Sequence, residues 1–502
     1  MILPILSGIL LAVSMPGPNL GWLAWIALIP LFWALHNKTP KESFKIGFIA
    51  GIVYFGALLY WLFTLWEWAG PAIIPGYLVL IAYLALYWGA FGAGASWLSA
   101  RLPRWALIVA IPAFWVILEF IRSQTRFGFP WGQAADALFQ QLPFVQVASA
   151  TGIWGVSFLV VLFNYLIITG LRARQWPYPV FALVMMAGLF AWGSTQINQP
   201  VSTETSLNLA LVQPNIGQRE RSNPTKLNEF LAIYTDLLGE VKALPQKADL
   251  VVLPESSLPA FVLEDPTPRD FFSNWTSAAQ THLVLGTFTS SSGGTEIFNS
   301  TAYFTPNGPA KETYSKVQLV PFSTEYFPGI QLLNSLGLST LIPAGSRLGL
   351  LTPGRGFFPL KTELGLIATP ICFESIFPEV SREFVRNGAE LILVVTNDAW
   401  FKNSWALDQH FAKGVFRAVE NGRYFVQTAN SGISGIIDPH GKIQERSSIE
   451  NRSITTGRVS LLDGETLFTR FGDWFIYLLL IALLMSVVIS VLQGARSPSP
   501  AS

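Results

Sequence analysis

The spacing of its apolar runs constrains this chain most. Eight of them lie near residues 2–15, 20–36, 45–66, 72–100, 104–122, 152–171, 177–195 and 472–492. A hydrocarbon layer about 30 Å thick is crossed by about 20 apolar residues in a helix. The last six runs approach or exceed that length. The first two are short and are split by Pro16 and Pro18, and runs of that size also serve as buried helices or re-entrant hairpins. The first thirty residues carry no basic n-region and no small-residue cleavage site, so they are expected to be retained helices. With 51% hydrophobic residues, 13% charged and a mean hydropathy of +0.43, the membrane must be part of this protein's solvent.

Basic residues orient such a chain, because Lys and Arg stay on the cytoplasmic side. Lys38, Lys41 and Lys45 follow the second run, Arg101 and Arg104 border the fourth and fifth, Arg172 and Arg174 follow the sixth, and Arg496 follows the eighth. These residues share one side, so both termini are expected in the cytoplasm and residues 196–470 outside it. The expected division is a membrane domain over 1–196 with about seven helices, an outer domain over 205–465, a final helix over 472–492 and a cytoplasmic tail over 493–502.

The outer segment alternates short β-rich runs with helical patterns, as a layered α/β domain does. Strands are predicted at Leu207–Val212, Leu250–Leu253, Leu283–Thr287, Leu364–Ile371, Leu391–Thr396 and Tyr424–Ala429. Low complexity is confined to Ser290–Gly294, read as a loop, and Arg496–Ser502, read as a disordered end. A net charge of +1 without basic stripes argues against nucleic acid as a partner. One cysteine excludes an intramolecular disulfide, and His36, His282, His410 and His440 show no metal-ligand spacing. Neither a metal nor another cofactor is expected.

Three segments place a reactive group at the end of a strand, where open α/β sheets build their sites. Glu255 follows Val251-Val252-Leu253-Pro254, Lys316 lies in the apolar stretch Tyr314–Phe322, and Cys372 ends Gly365–Ile371. Taken singly, each has an ordinary explanation: a first-turn acid, a snorkelling lysine, an inert core thiol. Taken in order, the Glu, Lys and Cys-Phe-Glu segments resemble the nitrilase, or carbon-nitrogen hydrolase, superfamily. Thr396–Phe401, Arg417–Arg423, Ala429–Gly432 and Asp438–Gly441 resemble it too. A thiol attacking a carbonyl needs a base, and the resulting oxyanion needs fixed positive charge.

The membrane runs narrow the resemblance to the apolipoprotein N-acyltransferase family. Leu118–Arg122, Gly128–Gln133, Gly152–Phe158, Leu211–Ile216 and Val320–Phe322 carry it across nearly the whole length. The resemblance implies a polytopic helical membrane domain with an extracytoplasmic nitrilase-like α-β-β-α sandwich, in a bacterial inner membrane with the catalytic domain on the periplasmic side. It also implies a monomer with ping-pong acyl transfer, from a phospholipid such as phosphatidylethanolamine to the terminal amine of diacylglyceryl-apolipoprotein, through a cysteine thioester. Glu255 would be the base, Cys372 the acyl carrier, and Lys316 with the Phe373 backbone N–H the oxyanion holders. Glu374 and Glu325 would support them.

Two departures stand out. Ser323-Thr324 replaces the glycine of the family's VPFGE, displacing Glu325 by one residue, and Ser222-Asn223-Pro224 lacks a tryptophan common at that place. The stretch Gly329–Ile342, with Ile330, Leu332, Leu333, Leu336, Leu338, Leu341 and Ile342, reads either as an acyl-guiding lid on the outer leaflet or as domain core. Phe127, Phe129, Trp131 and Phe139 are expected at the membrane interface. Two other functions fit less closely: a membrane-tethered amidase using the same three residues, and a transporter or receptor with a degenerate outer domain. The second of these predicts loss of one of the three, and all are present.

Overall fold

The computed structural model describes residues 1–125, 127–201, 204–221, 223–291, 293–329, 335–337 and 349–496. Ile330, Leu332, Leu333, Leu338, Leu341 and Ile342 of the expected lid lie outside the described residues, as do Ser222 and the tail beyond 496. The chain forms two compact units. One comprises Met1–Leu62, Ile74–Asn198 and the segment from Phe471 onward; the other comprises Phe63–Ile73 and Gln199–Arg470.

The first unit is helical, and it makes this a membrane protein. Tyr60–Ser99, Arg104–Ser123, Ile153–Ala173 and Pro177–Ile197 are long and apolar enough to cross a bilayer; Ile2–Ser14, Gly21–Leu35 and Trp474–Ser490 are shorter apolar helices. The run expected at 45–66 is instead an α-helix over Pro40–Leu58, followed by a 3-10 helix over Tyr60–Leu65. Its start is fixed by a capping box, in which the Glu42 N–H donates to Thr39 Oγ1 at 3.3 Å and the Thr39 N–H to Glu42 Oε2 at 2.9 Å.

Lipid offers no hydrogen bonds, so broken helices need internal partners. The break between Ala24–Ala27 and Ile29–Leu35 is mended by Asn164, which accepts from the Leu28 N–H at 2.9 Å and donates to the Ala24 carbonyl at 2.8 Å. Small residues set the helix spacing: a Cβ on Gly47 would lie 2.1 Å from the Trp88 carbonyl oxygen, so Pro40–Leu58 packs backbone-close on Ile73–Ser99. Glu119 accepts from the Trp115 indole at 2.9 Å and from the Ala134 N–H at 2.8 Å, while Arg122 donates to the Trp131 carbonyl at 2.7 Å. These bonds draw the connection after Ser123 inward. Trp131 and Phe139 are therefore buried, contrary to the interfacial placement expected of them, and Phe127 is exposed.

The second unit holds two six-stranded sheets. The strands are β1 (Ser206–Gln213), β2 (Leu250–Val252), β3 (His282–Ser290), β4 (Ile297–Thr305), β5 (Gly308–Ser315), β6 (Leu360–Thr362), β7 (Gly365–Ala368), β8 (Leu391–Thr396), β9 (Phe425–Ala429), β10 (Gly435–Ile437), β11 (Ile443–Arg446) and β12 (Ser453–Ser460). Their orders are β12-β1-β2-β3-β4-β5 and β11-β10-β9-β8-β7-β6. Each sheet has a parallel centre, β1-β2-β3 and β7-β8-β9, flanked by antiparallel edges. The central strands β2, β8 and β9 are buried along their whole length, as strands covered on both faces must be.

Helices Leu227–Lys242 and Pro266–Ala279 place Phe230, Tyr234, Leu237 and Phe272 against Val251, Leu283 and Phe304 of the first sheet. Helices Pro378–Arg386 and Trp405–Asn421 cover the second sheet, and Gly414 admits the rings and methyls of Phe425 and Ile437. Between the sheets, the Thr301 and Thr369 hydroxyls meet at 2.8 Å and Ser434 Oγ donates to Gln213 Oε1 at 2.8 Å. This is the α-β-β-α sandwich the sequence implied. Phe63–Ile73 joins the same unit: Thr64 Oγ1 donates to the Trp400 carbonyl at 3.0 Å, Trp68 stacks edge-on against Trp400, and Glu67 pairs with Lys402 at 2.5 Å.

Candidate active site

The loop after β2 of the first sheet carries Glu255, and the loop after β7 of the second carries Cys372. Lys316 follows the last residue of β5. Its N–H donates to the Asn299 carbonyl at 2.8 Å and its carbonyl accepts from the Gly354 N–H at 2.8 Å, so its backbone is fixed on both sides. The side chain runs through the interior. Lys316 Nζ lies 2.7 Å from Glu325 Oε1 and 3.6 Å from Glu255 Oε1, with Lys316 fully buried. Asn299, on β4, bridges the carboxylates: its amide donates to Glu255 Oε1 at 2.7 Å and to Glu325 Oε1 at 3.3 Å. Burial alone would lower the lysine's pKa, but Glu325 and Glu255 hold it above the ordinary value. The site therefore keeps a fixed cation.

Glu325 reaches this position despite the Ser323-Thr324 departure. The turn over Val320–Glu325 folds on itself: Ser323 Oγ donates to the Val320 carbonyl at 2.7 Å, and Glu325 Oε2 accepts the Val320 N–H at 2.8 Å. Phe322 takes up the extra residue with a left-handed φ of 58°.

Glu374 ties the lysine loop to the cysteine loop. Its Oε1 accepts from the Tyr314 hydroxyl at 2.7 Å, the Val317 N–H at 2.7 Å and the Gln318 N–H at 3.0 Å, and its Oε2 accepts the Ile371 N–H at 2.8 Å. Cys372 opens a 3-10 turn, Cys372–Ile376, with φ at 51°, a region costly for a residue with a side chain. The far end of that turn is held by Arg417, which donates to the Ile376 carbonyl at 2.8 Å and forks onto Glu420 at 2.6 and 2.7 Å. Phe373 is the second residue of the turn, where helical N–H groups lack an intrahelical acceptor.

The thiol is set between opposing influences. Burial pushes Cys372 well above its ordinary pKa, the Glu255 charge pushes the same way, and Lys316 opposes them. A resting thiol needs a base at the moment of attack, rather than a standing thiolate. Glu255 itself is buried, and Arg221 braces its loop by donating to the Glu255 and Ser256 carbonyls, where Ser256 has a φ of 46°.

Asn299 and Arg221 were not visible as site residues in the sequence. One is a polar position inside a β-rich run, the other a basic residue in a short helix; only the fold brings Asn299 to the carboxylates and Arg221 to the backbone of the Glu255 loop. The structure does bring together Glu255, Lys316, Glu325 and Cys372, with Glu374 beneath them.

The sandwich and the site define an enzyme of the carbon-nitrogen hydrolase type carried on an apolar helical unit. A family model for carbon-nitrogen hydrolases matches residues 208–466, and one for the apolipoprotein N-acyltransferase N-terminal domain matches residues 7–166. The apolipoprotein N-acyltransferase of Geobacter metallireducens is 35% identical, over 94% of this chain and 92% of its own length. That of Thermotoga maritima is 31% identical, over 99% and 94%. Among solved structures, Nit3 of Saccharomyces cerevisiae, a nitrilase-superfamily member, aligns with 51% of this chain and 90% of its own at 21% identity and a TM-score of 0.39. The chain belongs to the apolipoprotein N-acyltransferase family.

Proposed function

We propose that this chain moves a fatty acyl group from a phospholipid, with phosphatidylethanolamine the expected donor, onto the terminal amine of a diacylglyceryl-cysteine lipoprotein. The observation that carries the reading is a buried lysine flanked by two carboxylates beside the chain's single thiol, in a protein 35% identical to a named N-acyltransferase over most of its length. In the first half-reaction Glu255 takes the Cys372 proton as Sγ attacks the ester carbonyl. Lys316 and the Phe373 N–H stabilise the oxyanion. Its collapse forms the thioester and expels the lysophospholipid alkoxide, which recovers the proton. In the second, the lipoprotein amine attacks the thioester, Glu255 accepts its proton, and the sulfur leaves and is reprotonated as the amide forms. Glu325 and Glu374 hold the cation and the two loops.

The distribution of Lys and Arg supports a bacterial inner-membrane setting with the second unit on the periplasmic side and both ends of the chain in the cytoplasm. A monomer suffices, since one chain supplies every group in the scheme.

The test is mass spectrometry of the full-length protein in mixed micelles with labelled phosphatidylethanolamine. A labelled acyl adduct on Cys372, absent from Cys372→Ala and discharged by a diacylglyceryl-cysteine peptide as N-acyl product, is expected. Rapid release of free fatty acid without an amide product would favour an amidase instead, and no adduct would refute the scheme.

A further inference from the structure

One buried histidine next to the nucleophile has no part in that scheme. His410 lies on helix Trp405–Asn421, Asp398 in the turn after β8, and Ser375 in the turn that Cys372 opens. Asp398 Oδ1 faces His410 Nδ1 at 3.0 Å. His410 Nε2 faces Ser375 Oγ at 2.9 Å and the Cys372 carbonyl oxygen at 3.3 Å, and Ser375 Oγ donates to that carbonyl at 2.8 Å. All three side chains are buried.

By residue type this is the Asp-His-Ser order of a hydrolase triad, but the protons do not allow that role. The single Ser375 hydroxyl hydrogen is committed to the Cys372 carbonyl, so toward His410 its oxygen accepts and Nε2 donates. Nδ1 in turn must donate to the Asp398 carboxylate. Both ring nitrogens carry hydrogen, and the ring is a cation that cannot act as a base for Ser375. Burial alone would lower the His410 pKa; Asp398 outweighs it and raises it, with Glu255 acting the same way. Room for this carboxylate depends on Gly432, where a Cβ would lie 2.7 Å from Asp398 Oδ2.

The carbonyl at the end of this chain of bonds belongs to the Cys372–Phe373 peptide, whose N–H is that of Phe373. Hydrogen bonds backed by a cation draw electron density toward the carbonyl oxygen, which makes the N–H of the same amide a stronger donor. They also pin the peptide plane beside a residue held at a left-handed φ. We propose that Asp398, His410 and Ser375 are positioning residues that aim and strengthen the Phe373 N–H as an oxyanion donor. The inference rests on the acyl-transfer reading above.

Two rates on the full-length protein separate this role from a merely structural one: thioester formation from labelled phosphatidylethanolamine, and alkylation of Cys372 by iodoacetamide, which forms no oxyanion. Losing an oxyanion-hole donor costs about 10²–10³-fold; a donor that is weakened and misaimed should cost about 10–100-fold. His410→Gln is expected to slow thioester formation by that factor and to leave alkylation within about twofold. Ser375→Ala should do the same, and it decides the matter alone if His410→Gln does not fold. Thioester formation within about twofold of the unmodified protein in the folded variants would overturn the proposal. A parallel fall in both rates would also overturn it, because Cys372 itself would then have moved. If the unmodified protein gains no adduct, the acyl-transfer reading fails, and this inference with it.

Discussion

Replacing Glu374 with glutamine keeps the volume and removes the charge, so it isolates what the carboxylate holds together. Glu374 serves four donors, three on Oε1 and one on Oε2, all within 3.0 Å. A glutamine oxygen can serve the first three, but its NH₂ then faces the Ile371 N–H donor to donor. An unsatisfied buried N–H costs about 1–3 kcal/mol, and bonds to a charged acceptor exceed neutral ones by about 1 kcal/mol. One orphaned N–H and three weakened bonds give a loss of about 4–6 kcal/mol. For a unit of this size that corresponds to roughly 10–20 °C in Tm. Because the lost contacts join the Lys316 and Cys372 loops, thioester formation should fall about 100-fold, the effect of a displacement near 1 Å. Thermal unfolding in detergent and the adduct assay read the two effects. A Tm within about 2 °C of the unmodified protein, with acylation unchanged, would refute the idea that one carboxylate couples the loops.

Two further outcomes are expected. Glu255→Gln removes a negative charge that helps hold the Cys372 thiol above its ordinary pKa, so the iodoacetamide profile should move to lower pH while thioester formation is lost; a shift to higher pH would contradict the electrostatics of the site. Asn164→Leu leaves the Leu28 N–H and the Ala24 carbonyl without their partner inside the helical unit, a loss of about 2–4 kcal/mol. Detergent-resistance or thermal unfolding should show it, and an unchanged Tm would mean that other groups mend the broken helix.

Local chemistry made some of this legible in the sequence, and non-local pairing hid the rest. Strands β1, β2, β3 and β8 were visible as Val- and Leu-rich runs because their burial is written in consecutive residues. β5, with half of its residues exposed, and β11, Ile-Gln-Glu-Arg, were not, because edge strands carry little apolar signal. The predicted strand Leu364–Ile371 is in fact β7, of four residues, paired back on β6. Hydropathy extended the third apolar run to residue 66, since it reads composition and not the change at Leu59 from an α-helix to a 3-10 helix. At the site, Glu255 and Cys372 stood out by their place at predicted strand ends, and Lys316 as a lysine set in an apolar stretch. Asn299 and Arg221 did not, because each acts through a partner far away in sequence, nor did Asp398, His410 and Ser375, which three separate elements bring together.

The segment Phe63–Ile73 bears on how the chain is built during synthesis. Its partners Trp400 and Lys402 leave the ribosome more than 300 residues later, so Trp68 and Glu67 cannot reach their final contacts until the second sheet exists. That pairing has a long sequence separation and is closed late. A fragment beginning after the helical unit, however well its sheets form, would leave Trp400 and Lys402 uncovered, and it would lack a piece of its own surface that was made first.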